Sequence, residues 1–334
     1  MISIVDVAQG FDTKQIDREM IYYTDEYGRF LKALLQSESY YIAIGDPQMP
    51  SGLLPIMVKS GSLGTVANAL PFFGSHGAPV AAGHDNQVLE LLCKAESLAK
   101  QLKWDSLTIV ENPESPLSES VLAKLQLLRT VDTRISQVTH LSGAPPLDLE
   151  QLLGHFHVKM RNAVRKGVST GQIVIKSTDQ DSWDFLVREH QQQIRERGGV
   201  PKTRVVFDLL QEHLRDKVRM HCGYVDDQIV SALVTIRYGS TVEYFTPVVS
   251  HEFRSRQVLP HLIAEVMLRD FSSGATKWNW GGTWETQVGV RRFKSRFAAS
   301  ENNYRYLHWA ASRFESHSQE TILREYPYWY VRKF

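Results

Sequence analysis

Two tripeptides set 170 residues apart, Gln87-Val88-Leu89 and Gln257-Val258-Leu259, each open a helical pattern, and each pattern stands between an apolar hairpin and a short strand. Upstream of the first, "YYIAIGDPQMPSGLLPIMVKSG" (40–61) reads as two strands about a Pro/Gly turn. Upstream of the second, "HCGYVDDQIVSALVTIRYGS" (221–240) reads as strand, Asp-Asp turn and strand. The first helix carries Val88, Leu91, Leu92, Ala95, Leu98, Ala99 and Leu102 at the i, i+3, i+4, i+7 spacing of a face packed on a core. It runs into "SLTIVENP", and the second, "QVLPHLIAEVMLRDF", runs into "TKWNWGG" at the same offset. A duplicated β-β-helix-β unit leaves few architectures open. Each helix must cover a sheet, so an α/β protein with mixed (α+β) sheets in two similar halves is expected. A cleft between such halves is a common place for a substrate.

Between the copies, "LDLEQLLGHFHVKMRNAVRKGVSTG" is expected to be helical and holds no Asp or Glu from Gln151 to Thr178. A strand "QIVIK" and two helical patterns, "SWDFLVREHQQQIRER" and "TRVVFDLLQEHLRD", follow. Pro145-Pro146 interrupts regular structure, either as a tight internal loop or as a boundary giving domains 1–145 and 146–334. The 38 basic residues nearly cancel the 37 acidic ones, so no global field draws the chain onto nucleic acid or anionic membrane. Cys93 and Cys222 lie in apolar segments, which gives neither a metal-ligand spacing nor a disulfide framework and fits a reducing cytoplasm. No P-loop, zincin motif or Cys/His zinc set occurs, and no metal is expected. "MISIVDVAQGFDTKQIDREM" lacks the basic-then-apolar order of a secretion signal, and no uninterrupted apolar run reaches ~18 residues, so no integral membrane segment is expected.

Three stretches can carry chemistry. In "WNWGGTWETQVGVRRFKSRFAA" (278–299) glycines end a strand, Thr283 is placed to cap a helix starting near Trp284, and four cations follow with no acid after Glu285. Free N–H groups of a first turn can hold an anion or a carbonyl oxygen. Val290, Phe293 and Phe297 share a core-facing stripe, and the cations are otherwise a solvated face. In "KMRNAVRKG", Arg161 and Arg165 stand at i, i+4 beside Asn162, Lys159 and Lys166. They form either a phosphate or carboxylate site or the exposed side of a helix with Met160 and Val164 inward. In "LPFFGSHGAP" (70–79) the loop Gly74-Ser75-His76-Gly77 presents amides and one imidazole. Arg254 and Arg256 precede the second repeat helix, but "RSRQVLP" lacks the glycines that let amides wrap a pyrophosphate.

Taken in order, "PFFGSHGAP", "KMRNAVRKG" and "WNWGG…GVRRFKSRF", spread over residues 70–299, resemble a tandem pair of GNAT acyltransferase folds, in particular the FemAB-like branch of Fem-type aminoacyl and peptidyl transferases. The resemblance implies two GNAT-like domains packed side by side, with the transfer site in the second. It also implies transfer of an acyl or aminoacyl group to an amine of a cell-envelope or polysaccharide precursor, small or lipid-linked. It assigns function to Gly281, Gly282, Phe293 and Lys294, and to Arg161, Asn162, Arg165 and Lys166. No cofactor is expected to be held. The acyl donor stays open between acyl-CoA and aminoacyl-tRNA, because neither a charged heptad arm nor a pyrophosphate loop is present. In the expected mechanism an acceptor amine attacks the acyl carbonyl directly. Lys294 or amides near Gly282 meet the oxyanion, His76 is the candidate base with Glu243 and Tyr244 as alternatives, and Tyr244, Trp284 and Arg254 are further candidate substrate contacts. The rival expectation is a non-catalytic anion-binding protein that holds nucleic acid or a polyanionic glycan through the two basic segments.

Overall fold

The computed structural model describes residues 2–6, 20–72, 76–81, 85–141, 143–174 and 179–331. The chain forms two compact units, one of Met1–Arg134 with Asn302–Phe334 and one of Ile135–Glu301. The first begins with β1 (Ile2–Asp6), α1 (Asp25–Leu35), the hairpin β2 (Glu38–Asp46) and β3 (Met49–Gly61), then β4 (Gly64–Asn68) and β5 (Val80–Ala81). It continues with α2 (Asp85–Gln101), β6 (Ser106–Val110), α3 (Glu119–Leu122) and β7 (Arg129–His140), whose second half belongs to the other unit. There the chain forms α4 (Leu149–His155), α5 (Val158–Val168), β8 (Gln172–Val174), α6 (Gln180–Arg195), α7 (Arg204–Leu214), β9 (Val218–Val225) and β10 (Gln228–Tyr238). Next come β11 (Thr241–Val249), α8 (Val258–Ser272), β12 (Lys277–Thr283) and α9 (Val288–Ser295). Through β13 (Ser300–Ala310) the chain returns to the first unit, ending in α10 (Ser312–Glu315) and α11 (Gln319–Glu325).

The repeat is real in three dimensions. In unit one β4 pairs in parallel with β6, and in unit two β11 pairs in parallel with β12, the connecting helices being α2 and α8. The strand order is β1-β2-β3-β4-β6-β13 in the first unit and β8-β9-β10-β11-β12-β7 in the second. β13, from the end of the chain, lies antiparallel to β6, with Tyr306 opposite Val110. The second half of β7, from the end of the first repeat, lies antiparallel to β12, with Thr139 opposite Trp278. These pairings move the division away from residue 145: residues 135–145 join the second unit and 302–334 the first. Pro145-Pro146 is an internal loop whose Pro146 carbonyl accepts from the Ser272 hydroxyl.

Each core follows the periodicity. Leu91, Leu92, Ala95 and Leu98 of α2 pack with Leu54, Ile56 and Leu107 of the sheet. Leu102 does not join them: α2 stops at Gln101, Lys103 takes a positive φ of 54°, and Leu102 is left 53% exposed. In unit two Leu262, Ile263 and Val266 of α8 pack with Leu233, Val242, Trp278 and Phe297. The segment expected to be one helix is two, parted at Phe156-His157, and α5 turns Met160 and Val164 into that core. α5 lies directly on the start of α8. A Cβ on Gly167 would stand 2.5 Å from the Gln257 carbonyl oxygen and 2.6 Å from the His261 Cβ, so only glycine allows the approach.

Candidate active site

β11 and β12 pair only over Thr241–Glu243 and Lys277–Asn279. Beyond Asn279 the register of β12 on β7 shifts and resumes at Gly282 opposite Ser136, so Trp280 and Gly281 form a bulge. Gly281 takes a φ of +68°, which suits a residue without a Cβ. Where the parallel strands part, aromatic rings fill the core side: Tyr244 and Trp280 have centroids 4.8 Å apart, and Trp280 meets Phe297 at 4.9 Å. The Trp280 indole donates to the Thr139 hydroxyl at 2.9 Å, which in turn donates to the Phe297 carbonyl at 3.0 Å. Burial raises the Tyr244 phenol above its ordinary range, so at neutral pH it keeps its proton.

Lys294 comes to the bulge from α9. Lys294 is 6% exposed, and its ammonium donates to the Thr283 hydroxyl at 2.7 Å and, at 3.4 Å each, to the carbonyls of Gly281 and Gly282. No carboxylate is among these partners, and burial brings the amine down to about 8. Thr283 donates onward to the Gln137 side-chain oxygen, Oε1, at 3.3 Å. The Gln137 amide nitrogen reaches the Arg291 carbonyl, the Ser295 hydroxyl and the Glu301 carboxylate at 2.9 to 3.1 Å. Arg291 clamps Glu301 in a bidentate pair, with Nη2 at 2.6 Å, and holds that carboxyl below its usual range. A cation, a hydroxyl and a buried amide are thereby fixed in one chain of contacts, from which a charge developing at the glycine bulge can be met by the ammonium giving up one of its long carbonyl contacts. Thr283, Gln137 and Glu301 carry no motif. In "TRISQVTH" the two apolar residues, Ile135 and Val138, fall on opposite strand faces, so no alternation marks Gln137 as inward.

Other expected positions fall elsewhere. Thr283 ends β12 instead of capping a helix; a turn intervenes and α9 starts at Val288 after Gln287, which provides no side-chain cap. Val290 is 43% exposed, while Phe297 is buried. The Gly281 N–H is taken by the Asn279 side chain at 2.9 Å, and that of Trp284, a half-buried residue, faces Gln287 Oε1 at 3.4 Å. On α5 the exposed Arg165 forms a bidentate pair with Glu150, which stands just before the acid-free run, and Arg161 donates to the Phe156 carbonyl. Asn162, Lys166 and Arg254 are exposed. The two basic segments do meet, but through Lys159, Arg292 and Arg296, which line a depression of about 360 Å³ with His157 and Ser295.

His76 lies in the first unit, 1% exposed, between the ring edges of Tyr22 and Tyr304, with neither nitrogen hydrogen-bonded to a described residue. Burial lowers its pKa to about 4. Phe73, Gly74 and Ser75 lie outside the described residues. The first unit closes where the second opens: the Gly77 N–H donates to the Val110 carbonyl, and Glu111 is sealed by Arg305 and the Leu117 N–H. Among the described residues no cluster of His, Cys, Asp or Glu could hold a metal, and no helix is long and apolar enough to cross a membrane.

Residues 155–295, most of unit two from the end of α4 to the end of α9, match the acetyltransferase (GNAT) domain family. No curated protein matches the chain in sequence. The fold is shared with the crystal structure of FemX, at 13% identity and a TM-score of 0.71, with 94% of this chain and 98% of that one covered. It is also shared with the C-terminal domain of a putative lysylphosphatidylglycerol synthetase from Agrobacterium fabrum (15%, 0.58, 94% and 98%). A tandem GNAT protein from the clavulanic acid biosynthesis pathway has it too (9%, 0.53, 93% and 98%).

Proposed function

We propose that the chain, whose residues 155–295 match the acetyltransferase (GNAT) domain family and whose fold is shared with FemX and a tandem GNAT protein, transfers an acyl or aminoacyl group to the amine of a cell-envelope or polysaccharide precursor, small or lipid-linked. The observation that carries this reading is the buried, carboxylate-free ammonium of Lys294 at the glycine bulge where β11 and β12 part. The acceptor amine adds to the acyl carbonyl, and the new C–N bond leaves the oxygen negative. Lys294 donates to that oxygen, exchanging one of its 3.4 Å carbonyl contacts for a stronger one. Collapse breaks the bond to the leaving alcohol or thiol, and the amine proton departs with the leaving group or to water. Tyr244, held protonated, is on the donor side of that exchange. His76, neutral and enclosed in the first unit, has no place as the base in this reading.

The donor is a substrate, not a resident cofactor. Two features favour an aminoacyl-tRNA over an acyl-CoA held by its pyrophosphate at the start of α8. α5 covers that start through Gly167, and Pro260 removes one of its N–H groups. An aminoacyl donor and a lipid-linked acceptor are also the classes that the name of the putative lysylphosphatidylglycerol synthetase, a protein of the same fold, carries. Purified protein incubated with acyl-CoAs or aminoacyl-tRNAs and amine acceptors, with products read by mass spectrometry, tests the proposal. One donor should give turnover that drops ~100-fold or more in Lys294→Ala at unchanged fold. Unchanged turnover in that variant would remove Lys294 from the mechanism, and an absence of transfer from every donor would remove the proposal.

A further inference from the structure

At the other end of the second unit, where β9 begins, β10 ends and α8 finishes, a cavity of about 650 Å³ is lined by Arg215, Arg219, Arg237, Arg269 and Asp270. It lies at the opposite end of β12 from the glycine bulge, since β12 starts beside the Ser240 carbonyl and reaches Gly281 four residues on, about 13 Å away at ~3.3 Å each. Asp270 is 2% exposed. One of its oxygens, Oδ1, accepts from Arg219 at 3.1 Å and from Arg237 at 3.5 Å; the other, Oδ2, is buried and accepts from none of the described residues. Arg237 is further tied to the Ser273 carbonyl at 2.7 Å and to its hydroxyl. Arg215 and Arg269 are exposed and, among the described residues, have no ion-pair or hydrogen-bond partner, although the charge of Arg269 also acts on Asp270. With Asp216 added, four arginines face two carboxylates across the lining, a surplus of two positive charges in a chain whose net charge is only +1.

A lone structural ion pair does not need this arrangement: the Arg219–Asp270–Arg237 triad alone would tie α8 to β9 and β10. The unpaired arginines and the idle carboxylate oxygen are both left over, and they ask for opposite things, an oxyanion and a hydrogen-bond donor. An amino acid would satisfy both formally, but its ammonium would meet an Asp270 already overcompensated by two guanidinium groups. A hydroxyl donates without adding charge, and a phosphomonoester, near −2 at neutral pH, matches the surplus. A volume of 650 Å³ is within the ~300–1,000 Å³ of small-molecule sites.

We propose that this cavity is a second ligand site, for a small hydroxylated phosphomonoester such as a sugar phosphate, which places its phosphate on Arg215, Arg219 and Arg269 and a hydroxyl on Asp270 Oδ2. The inference does not depend on the acyl-transfer reading. Isothermal titration of the full chain with glucose 6-phosphate, inorganic phosphate and glucose tests it. Saturable one-to-one binding of glucose 6-phosphate is expected, with inorganic phosphate at least tenfold weaker and glucose silent. Arg215→Gln and Arg269→Gln, which leave the triad intact, should each weaken the sugar phosphate about tenfold, whereas Lys294→Ala should not change it. Asp270→Asn should weaken the sugar phosphate and not inorganic phosphate; if that variant misfolds, the two arginine variants decide. Absence of saturable binding, or equal affinity in both arginine variants, overturns the proposal.

Discussion

Lys294 keeps a positive charge where water barely reaches and no negative charge answers it, and its titration follows from that. The folded protein releases this proton near pH 8, whereas the unfolded chain holds it to its ordinary 10.5. Between those values the unfolded state binds more protons, so this group adds stability as pH rises from 8 to 10.5 and subtracts it below. Transfer runs the other way, because the charged form is the one that meets an oxyanion. We expect kcat/KM to fall tenfold per unit above pH 8, and Lys294→Arg to abolish that limb while retaining part of the activity. Side-chain carbon resonances of Lys294, assigned by their loss in Lys294→Gln, should titrate near 8. A midpoint near 10.5 would show that the amine is hydrated and would remove the basis of the pH dependence.

Among the elements, α5 shows what its sequence could and could not reveal. That it is a helix with Met160 and Val164 inward was legible from spacing, as were both hairpins, α2 and α8, because periodicity records which face is buried. Its charges were not legible. Glu150 on α4 neutralises Arg165, and Glu301 on β13 neutralises Arg291, so an acid-free run of sequence became a partly compensated surface. Such partners are chosen by packing between elements, on which residue order within one helix is silent. The same holds for Gly167, which reads as a weak point in a helix and is the contact on which α8 rests. Gly167→Ala should cost about 1–3 kcal/mol in chemical denaturation by forcing the two helices apart. Gly154→Ala, on exposed α4 with nothing within 4 Å of the added carbon, should be neutral or stabilise by up to ~1 kcal/mol. Equal effects of the two would mean that the α5–α8 approach is not close.

For the molecule as a whole, the repeat identified the units and misplaced their ends. Periodicity and the 170-residue offset show that a segment is a strand, but not which edge it joins, and here the strand after each repeat completes the sheet of the other unit. The C-terminal segment also fastens the first unit through polar contacts. The Tyr330 carbonyl accepts from Asn68 and Thr108 at 2.8 and 2.7 Å, the Tyr326 hydroxyl donates to Gly64, and Arg305 pairs with the buried Glu111. A chain ending at Glu301 should therefore retain hydrogen-exchange protection in unit two and lose it in unit one, and a peptide of residues 302–334 should restore it. Protection of β6 in the truncated chain would contradict the pairing.

That pairing also sets a timetable. Val110 and Ala310 are 200 residues apart (310 − 110), and the edge of β6 that β13 covers stays open until the later segment leaves the ribosome. At ~5–20 residues per second this lasts roughly 10 to 40 s, long compared with hairpin formation in ~1–10 μs. The half of the chain made first is thus the half that finishes folding last, and in a nascent chain β6 is the edge on which a chaperone or a neighbouring chain would act first.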